Sequence, residues 1–252
     1  MGRIFNRPLT RQLIGFAVLI AFWEWAARAG WVNPLYVPAP SKIGLALATL
    51  FGSGSIWPHI EATFAAALGG LVLGIAVGAA LGAAAAMLPL IAELLEPVMI
   101  LLNAVPRVVL APLLVIWLGI GLASKVASAF MLVAVLVFFT VFTGIRQVDR
   151  KLVERVITLG GGRGALLREV YMPSVTAWVL GNLKVAVGFA FTGAVVGEFV
   201  AATKGLGYLL AFAQSTYNAA LMLALVLIIM VFVLLIFAVS EQIEKRLLKW
   251  RG

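Results

Sequence analysis

The chain has 252 residues, 63% of them hydrophobic and only 12% charged, with a mean hydropathy of +1.12 and a formal net charge of +9. Ordinary soluble domains carry about 25% charged residues, so this composition excludes a water-soluble enzyme or nucleic-acid binder and points to a membrane protein. There is no cysteine, which removes disulfide frameworks and thiolate metal sites.

In chain order, apolar runs approaching the ~20 residues that cross a bilayer as a helix predict spans at 12–29, 60–88, 91–118, 123–145, 174–201 and 220–243. Lipid offers the backbone no hydrogen-bond partner, so unbroken apolar runs select helices, and the lack of strict alternation excludes a barrel. The expected fold class is all-α: a polytopic helical membrane protein with six transmembrane helices in a single domain, 1–252, and a polar loop at 146–172.

The first run has basic residues before it and Ala27-Arg28-Ala29 after it, as a signal peptide would. Glu24, Trp25 and Arg28 make a poor cleavage region, so an uncleaved first helix is expected. The stretch VPAPSKIGLALATLF follows, with Ser41 as a candidate cap for a short amphipathic helix presenting Ile43, Leu47 and Leu50 on one face. Glu24 is expected at the interface, and His59, the only histidine, to be incidental.

The second span carries Gly70, Gly74, Gly78 and Gly82, and the fifth carries Gly193 and Gly197. Small residues four apart let helix backbones approach closely, either within one subunit or along a seam between subunits. The third span is interrupted: NAVPRVVLAP places Pro106 and Pro112 in an apolar run, with Asn103 and Arg107 beside the first. Each proline removes an intrahelical hydrogen bond and tends to kink the helix.

An ionisable group at the bilayer centre costs at least about 2.5–3.5 kcal/mol on insertion scales, so Arg107, Lys184 and Glu198 call for a reason. Lys184 and Glu198 are fourteen residues apart, which is about 21 Å on one helix face, with Gly188, Phe191 and Val195 between them. Two readings stay open. These groups, with Asn103 and Pro106, line a polar pathway for an anion, or they form buried pairs and snorkelling contacts. No metal cluster and no nucleophile–base pair is visible, so the chain is not read as an enzyme.

Thirteen of the nineteen Lys and Arg fall at positions 3–11, 146–168 and 245–251. Six spans put these three clusters on one side, which the positive-inside rule makes cytoplasmic together with both termini. The loop between spans four and five contains LVERVITLGGGRGALLREVYMP. A phosphate-binding loop needs Lys and Ser or Thr after its last glycine, and here Gly164 is followed by Ala165 and Leu166. A dinucleotide fingerprint fails on spacing as well. What remains is a helix capped by Asp149 over 149–159, with Leu152, Val156 and Leu159 on one face. A glycine stop and a second turn or two at 163–171 follow, with Pro173 opening the next span.

The spacing of Glu154-Arg155-Val156, three residues, Gly160, nine residues, then Val170-x-Met172-Pro173 resembles the EAA loop of permease subunits in bacterial ABC importers. Arg155 and Val156 stand where that motif has alanines, and Val170 and Met172 where it has Ile and Leu. VPAPSKI, LAPLLVIWLGIGLASK and KGLGYLL are similar to segments of the taurine/sulfonate/nitrate branch. The resemblance implies an inner-membrane permease importing a small anion, working as a homodimer with two cytoplasmic ATPase subunits and a periplasmic binding protein. It implies that Leu152, Glu154, Arg155, Leu159, Gly160, Arg163, Val170, Met172 and Pro173 couple this chain to the ATPases. ATP and Mg would reside on those partners, and this chain would hold no cofactor. The rival expectation is a stand-alone carrier coupled to an ion gradient through Arg107, Lys184 and Glu198.

Overall fold

The computed structural model describes residues 8–247, and every regular element among them is helical. Of the basic clusters, Arg3, Arg7, Lys249 and Arg251 lie outside the described residues. In order, the elements are α1 (Pro8–Arg28), α2 (Pro40–Gly52), α3 (Trp57–Met87), α4 (Pro89–Ala104), a 3-10 turn (Arg107–Leu110), α5 (Ala111–Leu118), α6 (Leu122–Arg146), α7 (Arg150–Thr158), α8 (Arg163–Leu166), a π turn (Leu167–Tyr171), α9 (Met172–Gly181), α10 (Leu183–Val200), α11 (Leu206–Ser215) and α12 (Ala219–Leu247).

The glycine stripe explains how the centre is built. A Cβ on Gly70 would fall 2.3 Å from the Ala129 Cβ, and one on Gly74 2.6 Å from the Val133 Cβ. On Gly78 and Gly82 it would meet the backbone oxygens of Ala134 and Phe138, each at 2.6 Å. That face of α3 is therefore filled by α6 of the same chain. α10 packs on both α6 and α3, with a Gly193 Cβ placed 2.6 Å from the Ala129 Cα, a Gly197 Cβ 3.1 Å from the Ser128 Oγ, and Phe191 against Phe64 of α3. Removing side chains at the crossing lets dispersion contacts replace the hydrophobic drive that lipid does not supply. The sandwich α3–α6–α10 encloses Ala66, Ala129, Val133, Val141, Ala190 and Ala194, all essentially buried.

Four described helices, α3, α6, α10 and α12, are individually long and apolar enough to cross a membrane. The expected count of six single helices is corrected at three places. α1 has 21 residues but carries Arg11, Glu24 and Arg28, and it falls outside that set. The third span is two helices. Val105 is extended (φ −71°, ψ 129°), as the residue before a proline prefers, and Pro106 ends α4 there. Pro112 sits in the first turn of α5, where its missing N–H is not needed, and Pro97 lies inside α4. The fifth span is interrupted for one residue at Asn182 (φ −102°, ψ 5°), whose N–H and side-chain Nδ2 both donate to the Trp178 carbonyl, at 3.2 and 3.0 Å.

Ser41 is not the cap of α2. Ala39 occupies that position and Pro40 the first turn, while the Ser41 N–H and Oγ donate to the two Glu24 carboxylate oxygens at 2.9 and 2.8 Å. Glu24 of α1 thus supplies the charge that the helix start attracts. Ile43 is buried, and Leu47 and Leu50 pack beside Ile56, Ile60 and Leu225.

Candidate functional site

Two regions of different character lie at opposite ends of the α3–α6–α10 sandwich. At one end, Asp149 caps α7 by accepting from the Lys151 N–H at 2.9 Å. The stop is a left-handed one. Gly160 (φ +81°) donates to the Ile157 carbonyl and Gly161 to the Val156 carbonyl, both at 2.9 Å, the paired closure of a Schellman motif. A side chain at Gly160 would force that φ on an L-residue, and one at Gly161 would fall 2.5 Å from the Val156 Cγ1. Gly162 is extended and starts α8 at Arg163.

No residue of α7 is buried. Leu159 is 81% exposed, Ile157 55% and Leu152 49%, beside exposed Glu154 and Arg155. Val153 and Val156 are half-buried, so the inner face is turned slightly from the expected Leu152–Val156–Leu159 line. Beyond it, Val170 is buried and Met172 exposed. Pro173 does not begin a helix afresh: helical backbone runs into it, and the Met172 N–H donates five residues back to the Leu167 carbonyl. That wider turn fits a proline that has no N–H for the carbonyl four residues earlier and whose ring needs room there. Arg163, Leu166, Leu167 and Tyr171 border a cleft of about 440 Å³ against Met87 and Ile145, the ends of α3 and α6.

At the far end, Glu198 is 2% exposed and Lys125 4%. Glu198 Oε2 accepts from the Thr63 Oγ1 at 2.8 Å and from the Gly207 N–H at 2.9 Å. Thr63 Oγ1 also accepts from the Leu206 N–H at 2.8 Å, and the Gly205 N–H lies 3.1 Å from His59 Nδ1. The His59 ring stacks on Tyr208. Lys125 Nζ donates to the Ile120 carbonyl and to the Ser124 Oγ. A pocket of about 280 Å³ adjoins this cluster, with Lys125, Glu198 and Lys204 on its walls.

The pathway residues expected from sequence are not gathered in one place. Lys184 and the stripe Gly188, Phe191 and Val195 border a groove of about 520 Å³ against Ile229, Val233 and Phe237 of α12. Glu198, on the same helix, instead lines the pocket beside Lys125. Lys184 pairs with Glu241 at 2.9 Å, and Glu241 also accepts from Lys245 at 2.7 Å. Asn103 and Pro106 are exposed at the α4 break, and the backbone puts Arg107 at the start of the 3-10 turn, its side chain lying outside what is described. His59 lies within α3 and contacts Gly205 and Tyr208, and sequence reasoning did not single out Thr63, Lys125, Gly205, Gly207 and Glu241. The available signals were the i, i+4 spacing of His59 and Thr63 on α3 and the KGLG run that begins six residues after Glu198.

A family model described as binding-protein-dependent transport system inner membrane component matches residues 70–249. The chain belongs to this family. It is 32% identical over 248 residues to the riboflavin transport system permease protein RibX of Chloroflexus aurantiacus, covering 98% of this chain and 92% of that one. It is 28% identical to the taurine transport system permease protein TauC of Escherichia coli, covering 97% and 92%, and 30% identical to the putative aliphatic sulfonates transport permease protein SsuC of Bacillus subtilis, covering 94% and 86%. Among solved structures, an amino acid ABC transporter chain superposes with a TM-score of 0.65 at 16% identity, over 79% of this chain and 97% of that chain. The inward-facing MetNI methionine ABC transporter superposes with a TM-score of 0.57 at 19% identity, over 76% and 93%. The protein is thus a multi-pass ABC-type permease subunit of the taurine/sulfonate-related kind, and the sequence resemblance to that family holds.

Proposed function

We propose that this permease is a single domain, 1–252, that works as a homodimer in a bacterial inner membrane with both termini cytoplasmic. It carries a small anion, sulfonate- or taurine-like, from a periplasmic binding protein into the cytoplasm. The observation that carries this reading is α7, a capped helix with Leu152, Ile157 and Leu159 exposed at one end of the membrane sandwich. A short helix with its apolar residues uncovered needs a partner surface, and in this family the matching partner is an ATPase subunit. ATP and Mg belong to that partner, and this chain holds no cofactor.

On this reading Glu154, Arg155, Leu159, Gly160 and Arg163 lie at the ATPase contact, while Val170, Met172 and Pro173 join that contact to α9. Closure of the ATPase pair draws two α7 helices together and biases the permease between two packings, an interface-rotation switch. The α4 break at Asn103, Pro106 and Arg107 faces the route, since irregular backbone at membrane depth lines a cavity or lies inside protein.

The riboflavin permease, at 32% identity, favours a second reading in which the cargo is a larger organic solute. The test is ATPase stimulation of the reconstituted complex by a panel of liganded binding proteins. Stimulation by a sulfonate-loaded protein supports the first reading, and stimulation by a flavin-loaded one supports the second. Uptake by this chain alone, driven by an ion gradient, overturns both.

A further inference from the structure

The first N–H groups of a helix have no partner within it, and α11 has no side-chain cap of its own. Three consecutive amides at its start are taken by side chains of other helices. Gly205 donates to His59 Nδ1 at 3.1 Å in the tautomer that leaves Nδ1 unprotonated, the same nitrogen lying 3.2 Å from the Gly205 carbonyl oxygen, while Leu206 donates to Thr63 Oγ1 at 2.8 Å and Gly207 to Glu198 Oε2 at 2.9 Å. His59 and Thr63 stand one turn apart on α3 and Glu198 lies on α10, so one knot ties three elements. The Thr63 hydroxyl closes it by donating to Glu198. The fit depends on two missing side chains. A Cβ on Gly205 would fall 2.1 Å from the Glu198 Cδ, and one on Gly207 2.2 Å from the Val195 carbonyl oxygen.

Two positive-φ residues flank α11. Gly205 at φ +125° precedes it and Tyr217 at φ +52° follows it. Its apolar contacts, Leu206, Leu210 and Ala213 against Ile56, Ile60, Leu225 and Ile228, are non-directional. Direction comes from the three hydrogen bonds.

We propose that His59, Thr63 and Glu198 are positioning residues that lock α11 to α3 and α10, so that the three move as one body when the permease changes its access. This rests on the importer reading above. The knot needs acceptor oxygens at fixed places and not a negative charge, because a side-chain amide oxygen accepts the same two bonds. A group lining an anion or proton route through its charge behaves in the opposite way.

The experiment compares Glu198→Gln, Glu198→Ala, Thr63→Ser and Thr63→Ala in the assembled transporter, reading uptake per ATP hydrolysed and amide exchange at 205–207. Expected is near wild-type behaviour for Gln and Ser. For each Ala variant, exchange at these amides rises about tenfold, the scale of leaving one buried donor unsatisfied. Uptake per ATP falls in the same variants while the amount of assembled complex holds. If Glu198→Ala does not assemble, the Thr63 pair gives the same reading. Loss of uptake in Glu198→Gln with protected amides overturns the proposal, as does wild-type coupling in both Ala variants. A wild-type complex without ATP-driven uptake counts against the importer reading alone, since the exchange contrast between Gln and Ala still decides the knot.

Discussion

The two ends of the α3–α6–α10 sandwich invert the usual distribution of side chains. At the α7 end, Leu152, Ile157 and Leu159 are exposed on a helix with no buried residue. At the α11 end, Thr63, Lys125 and Glu198 are buried to 4% exposure or less. The polar end is satisfied within the chain, since the contacts of Glu198, Thr63 and Lys125 all come from neighbouring backbone and side chains. The apolar end is not. An element that completes its own contacts stays with its neighbours, whereas one that leaves Leu159 in the open is completed by something else. On the proposed reading, one end receives a partner and the other holds its own helices in register.

The largest effect comes from the seam that joins the two ends. A leucine at Gly78 would place its Cβ 2.6 Å from the Ala134 carbonyl oxygen, on backbone that cannot give way. Overpacking of this kind costs about 1–3 kcal/mol or more. The expected outcome is a steep fall in the thermal stability of the purified permease, with both ends affected together. A Gly78→Leu protein as stable as wild type would mean that the ends are not joined through this seam.

Next come changes that should damage one end alone. Gly160→Val imposes a left-handed conformation on a branched residue, at about 1–2 kcal/mol, where a new Cβ meets no atom within 4 Å. The helix end shifts while the sandwich stays, so ATP hydrolysis and uptake should separate without loss of folded protein. Reversal of the charge in Glu154→Lys should act in the same direction. Leu159→Ser should be milder, leaving stability unchanged and weakening ATPase association by roughly ten- to a hundredfold, as expected for ~1.5–3 kcal/mol of leucine burial. Association measured by co-purification at graded detergent-diluted concentrations checks this, and equal affinity removes Leu159 from the contact.

How much of this could be read beforehand depends on whether the signal was local. The apolar runs, the Asp149 cap, the glycine stop and the E–G–P spacing each reside in a short stretch of chain, and the helices follow them. The break at Val105 was legible because a proline acts on its immediate neighbour. The interruption at Asn182 was not, since an asparagine only competes with the ladder and tertiary packing decides the outcome. The knot was hidden for a stronger reason. His59 and Thr63 lie about 140 residues from their partners, 146 and 143 in sequence separation, and no periodicity reports such a pairing. Lys184 and Glu198 were grouped by helical phase alone, yet one reaches out to Glu241 and the other turns inward to Thr63.

The smallest expected effect separates those two residues. Glu241 is held by two ammonium groups, Lys184 at 2.9 Å and Lys245 at 2.7 Å, and all three side chains are between 39% and 73% exposed. Removing Lys184 leaves Glu241 still neutralised by Lys245, so Lys184→Met should cost under ~1 kcal/mol, in the range of solvated ion pairs. Removing the carboxylate leaves Lys184 and Lys245 without their shared partner, so Glu241→Gln should cost more than Lys184→Met. A structural tether predicts that order in both stability and uptake. A charge that serves a passing anion predicts the reverse for uptake, with Lys184→Met severe and Glu241→Gln mild, because the freed ammonium would attract the anion more strongly. Measuring uptake for both variants at low and high salt decides between them: the tether's small effect shrinks further as salt screens it, while a lost cationic contact on the route remains lost.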